Sequence, residues 1–106
     1  MVVRIVSLKC KPEGVDAFRL LLRQAFSRVR NVPGCLSLQI VGDVADPASY
    51  YTVSAWRDVD ALEAYRAGPL FAEIWPRVKA FLREPARAST CQDIEEAPAE
   101  ARSRFT

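Results

Sequence analysis

The amino-acid sequence predicts an α+β domain whose elements run strand, helix, strand, strand, helix, strand. Two observations carry that prediction. Apolar residues recur at spacings of three and four in two segments, the mark of one-sided helices, and four other segments are β-rich runs bounded by proline, glycine and aspartate. This order is the split βαβ pattern of ferredoxin-like folds: an antiparallel sheet with both helices crossing on the same side. A chain of 106 residues suits one such domain.

The elements follow in order. Residues 2–10 put Val2, Val6, Leu8 and Cys10 on one face and Val3 and Ile5 on the other, as in a strand covered on both sides. After Lys11-Pro12-Glu13-Gly14, the residues Val15, Phe18, Leu22, Ala25 and Val29 form a helical stripe widened by Leu21 and Phe26, with Arg19, Arg23, Arg28 and Arg30 mostly away from it. Asn31-Val32-Pro33-Gly34 ends the helix. Residues 35–41 and 50–56 read as a hairpin joined by a long loop rich in turn formers. Asp58 caps a short helix carrying Leu62 and Tyr65, which Gly68-Pro69 breaks. A second helical stretch follows with Phe71, Ile74, Trp75, Val78, Phe81 and Leu82, and Pro76 within it predicts a kink or a late start. Residues 87–94 form a final strand, closing a domain over 1–94. Residues 95–106 read as a flexible tail, since Phe105 is their only large apolar group.

Composition narrows the function. Fifteen basic against 13 acidic residues leave a net charge of only +2 with no basic cluster, which argues against nucleic acid as a partner. No apolar run is long enough to be a signal peptide or a membrane span, so neither secretion nor a membrane is expected. Cys10, Cys35 and Cys91 are far apart and odd in number, which fits reduced thiols and a cytoplasmic location. Histidine is absent, removing the commonest general base and metal ligand together. With no cysteine pair and no glycine-rich nucleotide fingerprint, no metal, flavin or haem cofactor is expected. Apolar residues on both strand parities call for a second cover on the sheet, and a homodimer joined through its sheets supplies one.

Pro33-Gly34-Cys35-Leu36-Ser37-Leu38, the run from Tyr50 to Trp56, the segment from Glu63 to Phe71 and Trp75-Pro76 follow one another in order. Together they resemble the antibiotic biosynthesis monooxygenase family: a Pro-Gly turn into a strand, a strand ending in tryptophan, and a short helix leading to an aromatic one. The resemblance covers about residues 2–94. It implies a dimeric α+β barrel and cofactor-independent oxidation of a phenolic or hydroquinone-like aromatic. The alternative is a non-catalytic dimer of the same fold that binds a small hydrophobic molecule or acts as a scaffold.

The resemblance implies roles for particular residues. Trp56 matches the tryptophan that lines the pocket in the oxygenases, although an indole also serves as core or interface packing. Thr52 stands four residues earlier, on the same strand face, where relatives often place an asparagine that holds the substrate. Threonine keeps a hydrogen-bonding hydroxyl and lacks the amide. Tyr65 replaces the histidine of many members and suits donation better than proton abstraction. The catalytic candidates are therefore Trp56, Thr52 and Tyr65; the substrate-binding candidates are Phe71, Trp75 and Ser54. Arg57 and Arg66 adjoin acidic residues and read as solvated ion pairs. The face shared by Thr52, Ser54 and Trp56 reads as a pocket, because a site needs a few polar groups in an apolar cavity, with the dimer seam as the alternative.

Overall fold

A computed structural model describes residues 1–95. The tail expected from residue 95 lies, beyond Glu95, outside the described residues. Strands β1 (Val2–Lys9), β2 (Cys35–Gly42), β3 (Ser49–Trp56) and β4 (Arg87–Gln92) form one sheet in the order β2-β3-β1-β4. Every neighbouring pair is antiparallel. Helices α1 (Val15–Arg30), α2 (Val59–Arg66) and α3 (Pro69–Lys79) complete a ferredoxin-like α+β domain.

Strand register decides which residues meet the helices. Val2 pairs with Trp56, Arg4 with Ser54, Val6 with Thr52 and Leu8 with Tyr50, so these even-numbered residues share one face. Against that face α1 buries Phe18, Leu21, Leu22, Ala25 and Val29, while α3 buries Ile74 and Val78. The rings of Phe18 and Tyr50 lie 5.7 Å apart and those of Phe18 and Phe81 5.5 Å, which ties α1 to the sheet and to the segment after α3. A second cluster, Val2, Cys35, Trp56, Ala61 and Leu62, closes the end near α2. The odd-numbered face, with Val3, Ile5, Tyr51 and Val53, carries none of the described helices, and Ile5 is 38% exposed.

Local chemistry sets the joints. Gly34 adopts φ 85°, and a β-carbon there would collide with that of Ala61. The same turn is held by Arg57 N–H donating to the Gly34 carbonyl at 2.8 Å and by Arg30 Nη1 donating to the Cys35 carbonyl at 2.7 Å. Asp58 caps α2 by accepting from Ala61 N–H at 2.8 Å. Arg83 clips the opposite end, donating to the Cys10 carbonyl and pairing with Asp46, each at 2.9 Å.

Three boundaries differ from expectation. Helix α3 starts at Pro69 and runs through Pro76 to Lys79. Pro76 costs it one bond, to the carbonyl of the exposed Ala72, which water can satisfy. Phe81 and Leu82 lie beyond α3, in the turn that leaves it, where Lys11 N–H donates to the Phe81 carbonyl at 2.8 Å and Cys10 bridges Leu82. Strand β4 ends at Gln92 because its only partner, β1, ends at Val2.

Two glycine substitutions should therefore have opposite effects. Gly34→Ala is expected to lower unfolding free energy by about 1–3 kcal/mol. Gly42→Ala, whose β-carbon would meet only the Tyr50 ring at 3.8 Å, is expected to leave it unchanged or raise it by about 0.4–1 kcal/mol. Urea unfolding of both variants checks the pair.

Candidate functional site

Between the even face of the sheet and the three helices lies a cavity of about 290 Å³. It forms because the even positions of β3 drop from the large Trp56 to the small Ser54 and Thr52, while the helices stay propped by Trp56 and Leu62 at one end and Phe18 and Tyr50 at the other. The structure brings all six sequence-selected residues, Thr52, Ser54, Trp56, Tyr65, Phe71 and Trp75, to this one cavity.

The aromatic residues form a continuous ladder along it. Trp56 and Tyr65 stack at 5.1 Å, Tyr65 meets Phe71 edge-on at 5.4 Å, and Phe71 stacks on Trp75 at 5.7 Å. Trp56 is only 1% exposed, and its indole N–H donates to Ser54 Oγ at 2.9 Å. These two are thus a satisfied wall rather than free hydrogen-bonding groups. Thr52 and Tyr65 are half-buried, and their hydroxyls make no side-chain hydrogen bond among the described residues. Burial, and to a lesser degree the nearby Cys35 thiol, pushes the Tyr65 phenol up from its ordinary value. Tyr65 is therefore a neutral donor near neutrality, not a base.

Sequence reasoning missed Arg4. It lies on the cavity face of the central strand, half-buried, with Nη1 donating to Thr90 Oγ1 at 2.7 Å. Its parity with Val2, Val6 and Leu8 was the available signal. Arg66 also lines the cavity, pairing with Glu63 at 3.2 Å, whereas Arg57 pairs with Asp58 at 3.4 Å and does not reach the cavity. No carboxylate of the described residues lines it. Among the described residues no three His, Cys, Asp or Glu side chains converge as a metal site.

Fold and cavity together define a ferredoxin-like domain of the small-molecule-binding type, with an aromatic-walled chamber under its helices. The model of the antibiotic biosynthesis monooxygenase family matches residues 1–77, and the chain belongs to that family. A crystal structure of an antibiotic biosynthesis monooxygenase is similar at TM-score 0.84 and 25% identity, covering 90% of this chain and 100% of its own. A candidate antibiotic biosynthesis monooxygenase from Nitrosomonas europaea matches at TM-score 0.83 and 19% identity, with 90% and 100% covered. A conserved protein from Methanosarcina mazei matches at 0.82 and 20%, with 89% and 94% covered. The last two establish likeness of fold alone. No curated protein matches the chain.

The buried thiols and phenol give stability a direction with pH. Burial raises Cys10 and Cys35 above the ordinary thiol value of 9.0 and Tyr65 above the ordinary phenol value of 10.0. The protonated forms belong to the folded state, so stability is full below these values and falls as pH rises through them. Urea midpoints should be flat around neutrality and decline from about pH 9 upward. Tyr65→Phe should remove part of the decline above about pH 10. A midpoint that rose with alkalinity would oppose this.

Proposed function

We propose that the chain binds a phenolic or hydroquinone-like aromatic molecule in the cavity and oxidises it with molecular oxygen, without a cofactor. The observation that carries this reading is an aromatic ladder and two free hydroxyls, on Thr52 and Tyr65, lining one cavity. The rings offer stacking surface to a flat substrate, and the hydroxyls can donate to its oxygen as negative charge builds there. For a phenol with a free ring position the balance is phenol plus O2 giving quinone plus water, one oxygen atom entering the ring. The electrons come from the substrate, so the protein's part is to orient it and exclude water.

The second reading is a dimer that binds an aromatic molecule without turning it over. One observation favours it: among the described residues no histidine or carboxylate lines the cavity to take the phenol proton, and Tyr65 is held protonated. In either reading the protein acts as a homodimer in the cytoplasm. The dimer is supported by the uncovered odd face, where Ile5 at 38% and Val41 at 36% exposure stand beside Val3, Tyr51 and Val53.

Oxygen uptake with 2-naphthol under air is the decisive assay. Uptake matched by quinone formation, and reduced at least about tenfold in Thr52→Val, supports oxidation. Saturable binding with no uptake supports the second reading. Sedimentation should give twice the 11.9 kDa of one chain. Ile5→Asp should halve that mass, and Trp56→Phe, which lies under the helices, should leave it unchanged. A monomeric wild type would remove the dimer from the proposal.

A further inference from the structure

The cavity carries more positive charge than its walls require. Arg4 and Arg66 both line it, no carboxylate of the described residues does, and Glu63 is already engaged by Arg66 at 3.2 and 3.4 Å. Arg4 has no carboxylate within salt-bridge distance among the described residues, and Thr90 Oγ1 is its one side-chain partner there. A guanidinium has five N–H donors, so most of those on Arg4 remain for something else. A lone half-buried arginine on a central strand needs a reason, since a neutral residue there would avoid the desolvation cost.

We propose that the ligand is an aromatic acid whose carboxylate docks on Arg4 while its ring lies along the Tyr65-Phe71-Trp75 ladder. This deepens the preceding reading and rests on its claim that the cavity holds an aromatic ligand. The planar guanidinium fork matches the two oxygens of a carboxylate better than the single oxygen of a phenolate. Arg4 reaches toward Thr90 on β4, away from Thr52 on β3, so a ring can sit between the anchored acid and the Thr52 hydroxyl. Arg66 adds attraction from the exposed side. Burial, and after it the like charge of Arg66, lowers the Arg4 pKa from its ordinary value, and the opposite charge of a bound anion would offset both. At about 290 Å³ the cavity falls at the small end of ligand sites, a size for one or two fused rings.

The test uses 2-naphthoate and its neutral isostere methyl 2-naphthoate, titrated calorimetrically against the wild-type protein, Arg4→Gln and Arg4→Lys. The wild type should bind the acid at least about tenfold more tightly than the ester, with the difference shrinking as salt rises. Arg4→Gln should bring the two within about twofold by weakening the acid alone, and Arg4→Lys should restore part of the preference. Unchanged urea midpoints for Arg4→Lys show that the fold is intact. Equal binding of acid and ester by the wild type, or a preference that survives Arg4→Gln, would overturn the Arg4 assignment while leaving the cavity as an aromatic site. Binding of neither probe would overturn the cavity reading and this inference with it.

Discussion

The structure depends on the register between β1 and β3. Pairing Val2 with Trp56 and Lys9 with Ser49 puts the even residues of both central strands on one face and the odd residues on the other. Because side chains alternate with a period of two, a slip of β3 by one residue would move Trp56, Ser54 and Thr52 out from under the helices and leave Arg4 behind on β1. The Pro-Gly turn and the bond from Arg57 N–H to the Gly34 carbonyl hold β2 against β3 at one end of the sheet, and at the other Arg83 clips Cys10, just past β1, to Asp46 in the β2–β3 loop. Both clips lie outside the cavity, so the frame can be fixed while the chamber stays open.

From that frame the two faces acquire different chemistry. The even face pairs large residues at its ends with small or polar ones at its middle, and a roof supported at both ends over a low centre leaves a space. Packing to normal interior density would have closed it. The walls are aromatic where α2 and α3 cover the sheet, and they turn polar through Arg4, Thr52 and Ser54 where the strands form the floor. The odd face, with Val3, Ile5, Val41 and Val53, is more aliphatic and lies free of the described helices, which suits a partner surface better than a small molecule.

Much of this was legible in the amino-acid sequence. The α1 stripe, the Pro33-Gly34 turn, the Asp58 cap and the shared parity of Thr52, Ser54 and Trp56 are local signals that do not depend on distant contacts. What sequence could not show came from tertiary pairing. Phe81 and Leu82 continue the helical spacing of α3, yet they leave the helix to pair with the end of β1, a bond that depends on residues some 70 positions away. Arg4 was passed over because a charge among valines and isoleucines reads as solvated; only the cavity reveals that its side of the strand is roofed. The bond from Trp56 to Ser54 likewise depends on the packed structure, and it uses the Ser54 hydroxyl that the sequence offered as a substrate contact.

The central claim is that the even face, not the odd one, receives an aromatic ligand. A crystal of the protein soaked with 6-bromo-2-naphthol tests it directly, since the anomalous signal of bromine locates the ring without interpretation of weak density. The expected result is one bromine peak per chain between the β3 floor and the Tyr65-Phe71-Trp75 ladder. A peak confined to the open face beside Ile5 and Val53, or no peak at a concentration that saturates binding in solution, would contradict it.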